Sequence, residues 1–307
     1  MIVESQDGAN LTPLNLTSLK GKLLSHLEAI CCDRNPLFSP LGHLAARTYI
    51  ENQLSQWGEV AREEFDYSGQ TYCNLILELP GRNTPLDDPL DDRGEIPSDL
   101  PMLLVGAHYD TVQNSPGADD NGTGVAALLA IAEALVTAPS RSPIRLVAFD
   151  AEEYGCLGSR VHAQLVAEAN LSIKLMLSLE MLGYCTHTPQ RYPVSWMRYF
   201  YPKQGNFLAL VGNPRGLLNL WKIRRALTSY GVPVAFLPVP LRGEWLPRLR
   251  ASDHAAFWDA GCPAAMVTDT AELRNPNYHK ASDRIETLDL DFLARGTQGL
   301  IAGLQSL

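Results

Sequence analysis

Five short stretches of the chain carry residues able to hold a divalent cation or to move a proton. His108 and Asp110 stand in GAHYD, Asp119 and Asp120 in GADDNGTG, Glu152 and Glu153 in DAEEYG, Glu180 in SLEML, and His279 in NPNYHKASD. Each has an ordinary role when taken alone. Asp120, Asn121 or Thr123 suits the N-cap of a helix, Asp119 a turn, the glutamate pair a solvated strand end and His279 a surface. Brought to one place, these carboxylates would repel one another and take up protons. Two divalent ions would remove the conflict.

A set of two imidazoles and several carboxylates, without thiolate, suits zinc in a catalytic site, with cobalt or manganese as substitutes. Two ions held ~3.5 to 4 Å apart need a bridging carboxylate. Asp119, on the loop between His108 and the following helix, is placed to bridge. Successive side chains at a strand end point oppositely, so Glu152 and Glu153 do not chelate one ion together. One can ligate while the other reaches the attacking water as a general base.

The elements that must position these residues are legible from hydropathy. LTSLKGKLLSHLEAI and LGHLAARTYIENQLSQWG have helical spacing, and EVAREEFDYSG and YCNLILELPG read as neighbouring strands. From residue 101 short apolar strands alternate with helices: PMLLVGAHYD, NGTGVAALLAIAEALV, IRLVAFDAEE, GSRVHAQLVAEAN, IKLMLSLEMLGY, and onward to a closing helix in RIETLDLDFLARGTQGLIAGLQSL. That alternation predicts one α/β domain over 1–307, a central, mostly parallel sheet flanked by helices on both faces. The acidic, proline-rich stretch at about 81–100 reads as a solvated loop. In such a fold the ligand crevice lies outside the carboxyl ends of the strands, where the chemistry-bearing residues fall.

With 307 residues, 46% hydrophobic and 19% charged, the chain can bury a sizeable core. A net charge of −9 argues against nucleic acid or an anionic membrane as partner. No signal peptide or apolar run of spanning length is visible, and six scattered cysteines without a CxxC pair read as reduced thiols. A cytoplasmic location is the expectation. GADDNGTG lacks the lysine of a phosphate-binding loop, and its acids would repel phosphate.

The segments GAHYDTV, PGADDNGTGVAALL, FDAEEYGCLGS, LSLEMLGY, ASDHAAFWDAGCPAAMVTDT and NPNYHKASD, in order from residue 106 to 283, resemble the zinc-dependent aminopeptidases of the aminopeptidase Y type. Glutamate carboxypeptidases and glutaminyl cyclases are more distant relatives. The resemblance implies a zinc-exopeptidase fold and two zinc ions per chain. His108, Asp119 and Glu180 would hold one ion, and Asp119, Glu153 and His279 the other. It implies Glu152 as the general base, Asp110 as the carboxylate orienting His108, and a cis peptide from Asp119 to Asp120. The implied reaction is hydrolysis of an N-terminal peptide bond in a peptide or aminoacyl substrate. Glutaminyl cyclisation, carboxypeptidase or other amide hydrolysis, and a non-catalytic relative are the alternatives. Retention of Glu152 and all five ligands favours hydrolysis.

Some of these relatives have an oxyanion-stabilising tyrosine shortly before SDH, where this chain reads RGEWLPRLRASDH and offers Arg248 or Arg250. His254 reads as structural behind a cap at Ser252 or Asp253; His26, His43, His162 and His187 read as incidental, and Cys156 as packing. The loops 183–205 and 239–251 carry Tyr184, Tyr192, Trp196, Tyr199, Phe200, Tyr201 and Trp245, which could line an apolar side-chain pocket or pack the loops onto the sheet.

Overall fold

A computed structural model describes residues 15–84 and 100–307. Most of the acidic stretch read as a loop lies outside the described residues. Two helices open the fold, α1 (Leu16–Ile30) and α2 (Pro40–Leu54), followed by an antiparallel pair, β1 (Val60–Tyr67) and β2 (Gln70–Leu79). The alternating part comprises β3 (Met102–His108), α3 (Gly124–Thr137), β4 (Ile144–Phe149), α4 (Leu157–Glu168) and β5 (Ile173–Glu180). It continues with β6 (Leu208–Gly212), α5 (Leu217–Ser229), β7 (Val234–Pro238), α6 (His254–Asp259), β8 (Ala264–Thr268) and α7 (Leu290–Gln305).

The eight strands among the described residues form one mixed sheet in the order β1-β2-β4-β3-β5-β8-β6-β7. The four central strands, β4, β3, β5 and β8, run parallel, whereas β2 meets β4 and β6 meets β8 antiparallel. Both faces are covered, which is why the central strands read as unbroken apolar runs. Leu103, Val105 and Ala107 of β3 pack into one core with α1, α3, α5 and α7, while Met102 and Leu104 pack into the other with α4 and α6. Helix α3 is buried on nearly every side from Gly124 to Ala132, and its composition is apolar all round for that reason.

β3 lies between β4 and β5, and the chain leaves it through α3 on one face and returns through α4 on the other. Strand order therefore reverses at β3, and a crevice opens beyond its carboxyl end. His108 is the last residue of β3, Glu180 the last of β5, and Glu152 and Glu153 follow shortly after β4.

Candidate metal centre and active site

The turn after β3 decides the geometry. Gly117 takes a left-handed conformation (φ +57°), and the backbone N–H groups of Asp119 and Asp120 both donate to the Asp283 carboxylate, at 3.0 Å each. The two adjacent aspartates then diverge. Asp119 turns inward, where its Oδ1 accepts from Gly183 N (2.9 Å) and its Oδ2 from Asn275 Nδ2 (2.7 Å). Asp120 turns into the crevice, with Oδ1 3.3 Å from His108 Nε2 and Oδ2 3.1 Å from His279 Nε2.

Two groups of candidate ligand atoms result, each with its atoms within 4.8 Å of one another: His108, Asp120 and Glu180, and Asp120, Glu153 and His279. The shared residue is Asp120. The expectation that Asp119 is the residue common to both groups is thus corrected, and the cis peptide follows the shared residue, at Asp120–Asn121 rather than Asp119–Asp120. Adjacent carboxylates look alike in sequence; hydrogen-bond donors beyond β5's end and in the 275 loop claim one and leave the other to the two imidazoles. The remaining expected ligands, His108, Glu153, Glu180 and His279, all reach the cluster.

Glu152 falls outside both groups, its Oε2 3.9 Å from His108 Nε2. Asp110 Oδ1 stands 3.4 Å from His108 Nδ1, and its two oxygens also accept from Glu152 N (3.0 Å) and Glu153 N (3.1 Å). One carboxylate therefore orients both the imidazole and the turn that carries the glutamates. Ser252 Oγ donates to Glu180 Oε2 at 2.8 Å and contacts Ser178 Oγ at the same distance. Neither Ser252 nor Asp253 makes the side-chain cap expected for α6; Ser252 is engaged by Glu180, and Asp253 is buried, which pushes its carboxyl up to about 7.

The charges of these residues are strongly perturbed. Burial raises Glu152 well above the usual carboxylate range, and Glu180 and Glu153 add to it. Burial and the Asp120 charge push Glu153 to about 7. Although burial opposes charging them, the surrounding carboxylates raise His108 strongly and His279 to about 10. Asp120 is buried too, yet the two imidazoles hold it well below its ordinary value. A divalent cation in each group would take over the compensation that imidazolium protons supply among protein atoms alone.

The donor set passes the test for such ions. Nε2 of His108 and Oε1 of Glu153, both aimed at the cluster, are buried without a hydrogen-bond partner, a costly condition that metal ligation would relieve. Imidazole and carboxylate ligands without thiolate match a catalytic zinc site.

Beside Glu180 opens a cavity. Tyr192, Met197, Tyr201, Phe207, Leu249 and Met266 form its apolar walls. Of the aromatic residues expected there, Tyr192 and Tyr201 line it, whereas Trp196, Tyr199, Phe200 and Trp245 stand largely exposed. Arg248 sits at the rim, 3.9 Å from Glu272, and Arg250 is engaged with Asp259 at 2.6 Å. Tyr278 lines the same cavity and stacks on His279 at 3.7 Å. Burial, then the charges of Asp120, Glu153, Glu180 and Glu152, raises its phenol so that it remains a donor. Sequence reasoning passed over Tyr278; its place next to His279 was the available signal.

Two histidines read as incidental have acidic partners. His43 Nε2 contacts Asp150 Oδ1 at 2.7 Å, and His162 Nδ1 contacts Glu63 Oε1 at 2.9 Å. His254 is structural as expected, fully buried with Nε2 donating to Leu249 O at 2.9 Å. Cys156 lies 3.4 Å from Glu152 Oε1, and burial keeps its thiol protonated.

A profile of peptidase family M28 matches residues 93–303. The Escherichia coli protein YfbL, itself uncharacterised, is 33% identical over 84% of this chain and 82% of its own length. The crystal structure of BSAP, a zinc aminopeptidase from Bacillus subtilis, superposes with a TM-score of 0.55 at 26% identity, covering 77% of this chain and 50% of that one. At 19% identity, the fold alone is shared with a Tannerella forsythia glutaminyl cyclase, with a TM-score of 0.64 over 95% of this chain and 98% of that one. The chain belongs to peptidase family M28, and so to the zinc-dependent metallopeptidases. It spans 46% of the length of the B. subtilis aminopeptidase YwaD, a relative at 29% identity.

Proposed function

We propose that the protein is a two-zinc aminopeptidase, releasing the N-terminal residue of a peptide. The observation that carries this reading is the position of Asp120, one carboxylate common to two groups of three ligand atoms. His108, Asp120 and Glu180 would hold one ion, and Asp120, Glu153 and His279 the other. Bound there, two zinc ions would polarise the scissile carbonyl and make water acidic enough to be deprotonated near neutral pH.

The protein's own groups supply the rest. Glu152, outside both ligand groups and raised by burial, accepts a proton from the attacking water and returns it to the leaving amine. The Tyr278 hydroxyl, a donor beside His279, hydrogen-bonds the oxygen on which negative charge develops. The substrate's free amine is held by carboxylates such as Glu152 or Glu180, and its first side chain enters the apolar cavity next to Glu180.

A screen of aminoacyl, N-blocked and C-terminal peptide substrates, with and without chelator, tests this. Chelator-sensitive release of the first residue, confined to substrates with a free amine, is the expected result. Conversion of N-terminal glutamine to a ring without amino-acid release would overturn it in favour of a cyclase.

A further inference from the structure

The family match begins at residue 93, and among the described residues no candidate ligand lies before it. The segment joining α1 to α2 nevertheless reaches into the loops that carry the ligands. Arg34 has 0% exposure. Its guanidinium donates from Nε to Tyr109 O (2.9 Å), from Nη1 to Ile30 O (2.7 Å), Cys32 O (3.2 Å) and Pro116 O (2.8 Å), and from Nη2 to Gly117 O (2.9 Å). Every one of these acceptors is a backbone carbonyl. Arg34 N donates to Thr111 Oγ1 at 2.9 Å. Asn35 continues the pattern, with Nδ2 donating to Thr111 O (2.9 Å) and Oδ1 accepting from the Tyr154 hydroxyl (2.9 Å).

These partners flank the metal centre closely. Tyr109 lies between His108 and Asp110, Pro116 and Gly117 lead into the turn of Asp120, and Tyr154 follows Glu153. The fit is tight: a Cβ on Gly117 would meet Arg34 Nη2 at 2.8 Å and Asp120 O at 2.3 Å. A planar fork with five donors can grip both ends of the 109–117 loop at once, whereas an ammonium group with three donors on one atom cannot span them.

We infer that Arg34 and Asn35 are positioning residues for the metal centre, fixing the loops that bring His108, Asp120 and Glu153 to ligating distance. This rests on the two-metal reading of the site. The pair acts through the carbonyls of the loop and the side chains of Thr111 and Tyr154 and touches no candidate ligand atom, so its effect is read in metal binding. It makes the segment joining α1 to α2, outside the family match, a support of the metal centre.

Arg34→Lys, Arg34→Met and Asn35→Ala in the full chain test the inference, with circular dichroism to establish folding, cobalt titration by calorimetry, and the visible spectrum of the cobalt-loaded protein. A loss of about 10- to 100-fold in cobalt affinity with an altered ligand-field spectrum is expected in the folded Arg34 variants, and a smaller shift in Asn35→Ala. Lysine is expected to fail to rescue, because it keeps the charge but not the fork. A merely structural role would lower the melting temperature and leave affinity and spectrum of the folded protein unchanged, which would overturn the inference. Should neither Arg34 variant fold, an Asn35→Ala protein with wild-type cobalt affinity and spectrum would overturn it equally. Wild-type protein that takes up no cobalt would instead refute the metal centre itself.

Discussion

Asp119 and Asp120 have the same side chain, and direction separates the candidate ligand from the tether. Asp120→Asn would weaken the bridge between two ions, and elemental analysis of the dialysed variant should show fewer than the two zinc-like ions expected for wild type. Asp119→Asn would place an amide against Gly183 N or Asn275 Nδ2. Its cost is expected in stability, about 1 to 3 kcal/mol by urea titration, with the metal count kept. Reversed outcomes would restore Asp119 as the bridge. Glu152→Gln should keep both metals and lose about 10²- to 10⁴-fold in turnover; turnover at the wild-type rate would assign the proton transfer to another group. None of these aspartate roles is legible from composition or spacing, because a local turn conformation and distant donors set them.

The catalytic loops lean on short elements whose own stability depends on pH. Helix α6 begins at His254, whose ring is buried and neutral, with burial holding its pKa down to about 4. The unfolded chain protonates this imidazole near 6.5 while the folded protein refuses the proton, so stability present above about 6.5 is lost as pH falls towards 4. Between pH 7 and 5 the loss from this residue comes to about 2 kcal/mol. Unfolding free energies of wild type and His254→Gln at both pH values isolate it, since the metal-site groups titrate in both proteins. Parallel slopes would dismiss the effect. The helices and strands themselves were readable: α1, written as LTSLKGKLLSHLEAI, spans Leu16–Ile30, and the paired strands after α2 are β1 and β2. The cap expected at Ser252 or Asp253 was not: the Ser252 hydroxyl found an acceptor in Glu180, distant in sequence and adjacent in space, and Asp253 makes no side-chain cap.

At the scale of the molecule, one sheet gathers carboxylates from β3, β4 and β5 and their loops into a crevice where they raise one another's protonation. Bound ions should therefore stabilise the whole fold. At a hundredfold excess over its dissociation constant each ion contributes about 2.7 kcal/mol, and calorimetry should show a melting temperature lowered by chelator and restored by zinc. A melting temperature indifferent to both would sever the centre from folding. The sequence by itself determined the α/β architecture, because strands buried on both faces must be apolar throughout and helices must repeat at their own period. It also determined the candidate ligand types and their order along the chain, since they fall at strand ends, as His108 and Glu180 do, or in the loops that follow strands. What the tertiary structure alone decided is which of two neighbouring aspartates enters the crevice, that Tyr278 faces it, and that Arg34 braces it from a segment far upstream. Hydropathy records whether a side chain is buried; its direction is set by partners that folding brings from elsewhere.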